Sequence, residues 1–248
     1  MRFEDKLYKG KFLKRYKRFF CDIKLPSGEE VTAHTPNTGS MKGLLTPDSD
    51  CYITHIDDPK RKLKYTLQML KTPSSWVGVN THLPNKLVAE AIEEKKLSHL
   101  KKYKYFKSEA KLNAKTRIDF ALHSHEEVAT AKKWDVGFID DYKFHFIEVK
   151  NVTLAEENKA LFPDSVTARG LKHIKELEEL IEQGHTGEFL FVVQRTDCDV
   201  FSPAKEIDPA YSTALKEANK KGLTVKAFSC HLSKDEIYLD KEIKIKFD

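Results

Sequence analysis

The stretch Lys143-Phe144-His145-Phe146-Ile147-Glu148-Val149-Lys150-Asn151-Val152-Thr153-Leu154 decides how this chain is read. Its β-branched and aromatic residues predict a strand. Glu148 and Lys150 interrupt it two positions apart, and residues i and i+2 of a strand share one face. A carboxylate and an ammonium therefore stand side by side in a segment otherwise suited to burial. Ionised groups are kept in such places only when they are paired or hold a metal.

Upstream, Tyr105–Leu112 and Arg117–Leu122 read as two strands joined by a turn over 113–116. The second carries Asp119 among apolar neighbours, in Arg-Ile-Asp-Phe-Ala-Leu. Before them, Leu87, Val88, Ala91 and Ile92 form a helical stripe with Asn85 placed to cap its start. Glu90 falls beside that stripe, facing either a site or solvent. Residues 126–133 show no pattern. Downstream, Leu171, Ile174, Leu177 and Ile181 predict a helix capped by Asp164 or Ser165 and followed by Gly184. Arg169, Lys172 and His173 share one side of it, toward phosphates or toward water. Phe189–Gln194 reads as a buried strand, and Asp208-Pro209 opens a helix running to about Lys221. Leu223–Ser229 is a further strand, and Glu236–Phe247 alternates like an edge strand. Residues 83–248 thus form an α/β module.

Residues 7–82 contain no long helical pattern. Short strand-like runs recur at Gly10–Leu13, Arg18–Leu25, Glu30–His34, Cys51–Ile56, Lys64–Lys71 and Trp76–Val79. Pro26-Ser27-Gly28 and Thr46-Pro47-Asp48-Ser49 punctuate them as turns. Five or six short strands in this span predict a small OB-like β-barrel over residues 1–82. That segment holds 15 Lys/Arg against 9 Asp/Glu, whereas 83–248 holds 28 against 29, so the net +5 belongs to the barrel. A basic module joined to a near-neutral one suggests a polyanionic partner. Lys14-Arg15-Tyr16-Lys17-Arg18-Phe19-Phe20 interleaves cations with rings, suited to phosphates and to stacking on a base. The alternative is that Phe19 and Phe20 belong in part to the core. Lys60-Arg61-Lys62 is a second basic turn, and the polar loop 34–43 offers amides and hydroxyls to a phosphate or is an ordinary long turn.

No apolar run approaches the roughly 18 residues needed to cross a bilayer, and the first residues carry no apolar signal segment. No membrane partner and a cytoplasmic location are expected. Cys21, Cys51, Cys198 and Cys230 form no Cys-x-x-Cys pair and are expected to be free thiols.

Asp119, Glu148 and Lys150 together suit phosphodiester hydrolysis. Mg²⁺ or Mn²⁺ takes one or two carboxylates plus substrate phosphate, and a lysine beside it orients water or stabilises negative charge. Glu-x-Lys recurs elsewhere in the chain, as at Glu93/Lys95 and Glu242/Lys244, so a structural ion pair is the alternative.

The chain resembles the sugar fermentation stimulation protein A (SfsA) family from end to end. The matching segments include Arg15-Tyr16-Lys17-Arg18-Phe19, Thr32–Met41, Pro59–Leu63, Trp76–Thr81, Arg117–Phe120, Ile147–Leu154 and Phe162–Thr167. The resemblance implies a DNA-binding protein linked to sugar-utilisation genes, with RNA not excluded. It also implies that the second module is a PD-(D/E)xK restriction-endonuclease-like domain. Carried over, Asp119 is the motif's Asp, Glu148 its acidic position and Lys150 its lysine. Glu90 matches an extra acidic metal position, and Ile118 replaces the motif's Pro. The expected function is a Mg²⁺-dependent nuclease; the alternative is a non-catalytic DNA-binding regulator with a vestigial nuclease site.

Overall fold

A computed structural model describes every residue except 4, 115 and 248. The first module is a closed barrel of the OB type. Its strands are β1 (Leu7–Tyr16), β2 (Phe20–Lys24), β3 (Glu30–His34), β4 (Asp50–His55) and β5 (Tyr65–Lys71), in the order β3-β2-β1-β4-β5. Ala33 and His34 of β3 pair in parallel with Tyr65 and Thr66 of β5 and close the sheet on itself. A short β6 (Trp76–Gly78) extends the sheet from β5. β1 is long enough to pair with both β2 and β4, and a bulge between Phe12 and Lys14 lets it bend to do so. Phe12, Cys21, Ile23, Cys51, Ile53 and Leu67 fill the interior, as the strand period of two requires.

The second module begins with α1 (Leu83–Glu93), then β7 (Tyr105–Lys111), β8 (Arg117–His123), and two short helices, α2 (Glu126–Thr130) and α3 (Phe138–Asp141). Next come β9 (His145–Val152), β10 (Leu154–Glu156), β11 (Lys159–Phe162) and α4 (Ala168–Glu182). The chain continues through β12 (Thr186–Val193), β13 (Val200–Pro203), α5 (Pro209–Lys220), β14 (Thr224–Leu232), β15 (Ile237–Glu242) and β16 (Lys244–Ile245). A six-stranded mixed sheet, β15-β14-β12-β9-β8-β7, is the centre of the module. β9, β12 and β14 run parallel, joined by crossovers that contain α4 and α5. On one face Phe146, Phe189 and Phe191 pack with Ile174, Leu177 and Tyr211 of those helices. On the other, Ile147, Val149, Leu190 and Val192 pack with Leu83, Leu87 and Val88 of α1. β9 is therefore covered on both sides, which explains its nearly unbroken apolar run.

Several local expectations change. α1 begins at Leu83, with Pro84 in its first turn, so Asn85 lies inside the helix and is not its cap. α4 is capped by Thr167, whose hydroxyl accepts the Gly170 N–H at 3.0 Å, and not by Asp164 or Ser165. Asp208 caps α5 as expected, accepting the Tyr211 N–H at 2.9 Å. The patternless 126–133 contains α2. A four-stranded sheet, β10-β11-β13-β16, has no counterpart in the sequence reading. Its strands are two to four residues long, too short to show a period. The tail divides accordingly: β15 edges the large sheet and β16 joins the small one. All four cysteines are buried free thiols. Among the described residues no helix is long and apolar enough to cross a membrane.

The barrel docks on the sheet through β6 and the end of β12. The Gly78 N–H donates to the Gln194 carbonyl at 2.8 Å, and Val77 bridges Arg195. Gln194 in turn donates to the Asn80 carbonyl and to Asn151 Oδ1, at 3.3 and 2.6 Å. A Cβ on Gly78 would lie 2.5 Å from Gln194 Oε1 and 3.0 Å from Leu232. Gly78→Val is expected to push Gln194 off both partners and to cost about 1–3 kcal/mol. Thermal unfolding should show a midpoint several degrees lower; an unchanged midpoint would show that this close approach does not hold the modules together.

Candidate active site

β8 and β9 pair antiparallel from Leu122↔His145 to Phe120↔Ile147. The next residues along are Asp119 and Glu148. Here the side chain of Asp119 takes over from the ladder: its Oδ2 accepts the Val149 N–H at 2.7 Å. Its Oδ1 accepts from Asn85 Nδ2 at 2.8 Å, so α1 fixes the carboxylate from the other side. Strand pairing alone thus brings two acids, 29 positions apart in the sequence, to one place.

Glu148 is buried and well compensated. Its Oε1 accepts from Lys150 Nζ at 2.6 Å and bonds His173 Nδ1 of α4. Lys150 Nζ also lies 3.4 Å from His173 Nδ1 and 5.5 Å from the centre of the Phe189 ring. Arg169 Nε reaches the far nitrogen of the same imidazole at 3.4 Å. Burial pushes the Glu148 carboxyl up, but the bonds from His173 and Lys150 outweigh it and hold the group below the ordinary range. Asp119 goes the other way. Burial and then the charge of Glu148 push it up to about 6, against the weaker pull of the Val149 N–H and Asn85. The hydroxyl of Tyr211, fully buried, has no hydrogen-bond partner among the described residues; burial and then the charges of Glu148 and Asp208 keep it protonated.

Asp119 and Glu148 open on one cavity of about 590 Å³, with Arg117, Arg169 and Lys172 among its walls. Lys150 borders an adjoining cleft, which Arg169 also lines. The site is therefore two carboxylates with cations around them, suited to a divalent ion and to phosphate oxygens.

The structure brings Asp119, Glu148 and Lys150 together, with Arg169 and Lys172 at the rim. Glu90 does not join them. Its carboxylate pairs with the α-amino group of Met1 at 2.6 Å, and Asn85, five residues earlier on α1, is the residue that reaches Asp119. Lys172 pairs with Glu176 at 3.2 Å. His173 faces inward rather than toward phosphates; the buried stripe of α4 is Gly170, His173, Ile174, Leu177 and Leu180. That register was present in the sequence, but a polar residue in it does not announce itself.

On the barrel, Arg15 is not a free phosphate ligand. Its guanidinium donates to the carbonyls of Arg18, Gly39 and Asn37 at 2.9, 3.0 and 2.8 Å. Lys14 lies 3.4 Å from Asp22, and Tyr16 donates to the same Asp22 at 3.1 Å. Lys17 and Arg18 form the turn between β1 and β2, with φ of 47° and 64°, and both are exposed. Lys60 and Lys62 are exposed, whereas Arg61 donates to Thr66 Oγ1 at 3.0 Å.

Comparison with known proteins agrees with this architecture. Residues 13–79 match the family model described as the SfsA N-terminal OB domain. Residues 82–236 match the sugar fermentation stimulation protein RE domain. The chain is 47% identical to a sugar fermentation stimulation protein homolog of Bdellovibrio bacteriovorus, covering 98% of both chains. It is 42% identical to the homolog of Pelagibacter ubique, covering 99% of both. Among solved structures it is similar to the SfsA of Pyrococcus furiosus in complex with Ca²⁺, with a TM-score of 0.81 and 25% identity over 99% of this chain and 98% of that one. The chain belongs to the sugar fermentation stimulation protein (SfsA) family.

Proposed function

We propose that the protein is a cytoplasmic DNA-binding, divalent-metal-dependent nuclease of the PD-(D/E)xK type. The observation that carries this is the convergence of Asp119 and Glu148 on one cavity, with Lys150 bonded to Glu148. Among the described residues no three His, Cys, Asp or Glu side chains form a ready-made metal cage. A site of two carboxylates completed by solvent and phosphate oxygens suits Mg²⁺ or Mn²⁺. The raised pKa of Asp119 fits as well, because a cation would neutralise the repulsion from Glu148 that contributes to it. The Ca²⁺ bound by the Pyrococcus furiosus relative supports a hard, oxygen-bound ion.

When bound, such an ion polarises a phosphoryl oxygen and lowers the pKa of water. Asp119 and Glu148 would hold it. Lys150, held by Glu148 and lying against the Phe189 ring, would position water or a phosphate oxygen from the adjoining cleft. Arg117, Arg169 and Lys172 would hold neighbouring phosphates. The basic barrel would add contacts through Lys14, Lys17, Arg18, Lys60 and Lys62, with little base specificity.

The bonds from Lys150 and His173 to Glu148 also favour a second reading, in which the acid is a structural ion pair in a non-catalytic regulator. Incubating the protein with single-stranded, duplex and branched DNA, and with RNA, in Mg²⁺ or Mn²⁺ separates the two. Cleavage by the wild type that is lost in Glu148→Ala and Lys150→Ala is expected. Activity retained in Glu148→Ala, or none in the wild type on any substrate, leaves the regulator.

DNA affinity should fall steeply as salt rises, because bound cations release counterions. An affinity indifferent to salt, measured by fluorescence anisotropy, would rule out phosphate contacts as its source.

Asp119 also makes a pH signature. Its folded pKa, about 6, is raised above the ordinary value of 3.8. The protonated group therefore favours the fold at low pH, and this contribution is lost as pH rises through about 6. Asp119→Asn should be more stable than the wild type at pH 8, by on the order of 1–3 kcal/mol, with the gap closing toward pH 4. Mg²⁺ should raise the melting temperature of the wild type but not of this variant. Equal stability at pH 8, together with no Mg²⁺ effect on the wild type, would count against a metal-ready acid here.

A further inference from the structure

We propose that the site takes its DNA as a single strand, led from a ring platform on the barrel into the cleft beside Lys150. This rests on the DNA-binding reading above and names the form of DNA that the site accepts.

The platform is the turn between β1 and β2. Phe19 is 44% exposed and Tyr16 is 37% exposed. Each is backed by a second ring. Phe19 stacks on His34, with centroids 6.3 Å apart and planes 11° apart, and Tyr16 stacks on Phe20 at 5.6 Å and 23°. Lys14 Nζ lies 5.7 Å from the Tyr16 ring centre, and Lys17 and Arg18 form the turn itself. Two pre-oriented rings among cations can stack on bases whose faces are free. In a duplex those faces are already covered by neighbouring base pairs, so the rings would gain nothing from it.

Arg15 joins this platform to the second module. One guanidinium holds the carbonyl of Arg18 in the turn and those of Asn37 and Gly39 in the loop that follows β3. Burial lowers the Arg15 pKa, as expected of a group enclosed by carbonyls. The loop is anchored at its far side as well. The Ser40 N–H and hydroxyl donate to Asp164 Oδ2 at 2.7 and 3.2 Å, and Thr81 donates to the Pro36 carbonyl at 3.1 Å. Turn and loop therefore form one unit with a fixed position against the sheet.

Between that loop and the sheet lies a cleft of about 450 Å³. Asn37, Thr38 and Gly39 border it on the barrel side; Lys150, Asn151 and Arg169 border it on the other. Arg169 also lines the cavity of Asp119 and Glu148, so cleft and carboxylates are contiguous, and Arg15 ties the ring platform to the cleft's barrel-side wall through Asn37 and Gly39. The cleft has the volume of a pocket for one small ligand. That volume can seat a nucleotide of a single strand and is too small to enclose a double helix. Its walls mix apolar side chains such as Val152 and Phe162 with Lys150, Arg169 and the Asp164 carboxylate, and the two cations suit the phosphates of a backbone whose sugars lie on the apolar part.

The test measures binding without turnover, in EDTA and in Ca²⁺, of a labelled single strand and of the blunt duplex of the same sequence. The wild type is expected to bind the single strand about tenfold more tightly at equal salt. Phe19→Ala and Phe19→Leu should both weaken single-strand binding by about tenfold and leave duplex binding unchanged. Phe19 is exposed, so neither substitution removes core packing. A 5-iodouracil-substituted single strand should photocrosslink to the Tyr16–Phe20 peptide. Equal or tighter duplex binding, an equal loss on both substrates, full affinity in Phe19→Leu, or a crosslink confined to other peptides would each overturn the proposal. Single-strand preference with no cleavage of any substrate would retain it while removing the nuclease reading. Absence of binding to either substrate would remove both.

Discussion

Two carboxylates, one buried and one half-buried, held at one cavity set the terms for the rest of this structure. Like charges drawn out of water destabilise a fold unless other groups compensate them. Glu148 is compensated by Lys150 and His173, so α4 must deliver an imidazole to the centre of the sheet. Asp119 accepts a backbone N–H and the Asn85 amide and feels Lys150 more weakly, and its pKa stays high. The same sheet shows what full compensation looks like. Glu188 of β12, wholly buried, bonds both His99 and His145, and these bonds outweigh burial and hold its pKa down. The contrast places the electrostatic strain at Asp119. Acids perturbed in this way are enriched at functional sites, in keeping with the role proposed for Asp119.

The barrel contributes shape as much as charge. Its arginine most suggestive of a phosphate ligand, Arg15, is spent on three carbonyls that fix the loop facing Lys150. The exposed cations beside it are Lys14 on β1 and Lys17 and Arg18 on the turn. Docking through Gly78 and Gln194 places this loop against the sheet, and Gln194 carries the contact on to Asn151, the residue next to Lys150. The geometry around the lysine thus depends on how the two modules meet, and on more than the strand that carries it.

Much of the fold was legible because long elements advertise their period. The barrel strands, the helix from 168 to 182 and the central strand around Glu148 all follow from apolar spacing and turn residues. The small sheet of β10, β11, β13 and β16 was not legible, since its strands are too short for any period and are built by pairing across the chain. The caps failed for a related reason. Asn85 and Asp164 are sound local caps, yet each is taken by a distant partner, Asp119 and Ser40 respectively.

The sequence by itself determined the identity of the acids and the lysine, the α/β order and the basic character of the barrel. These depend on residue type and on spacing along the chain, and both are local. Only the tertiary structure decided which groups share the cavity. It replaced Glu90 with Asn85 beside Asp119, turned His173 inward and committed Arg15 to the loop. Those outcomes depend on which strands pair and on how the modules dock, and contacts between residues far apart in the chain leave no period to read.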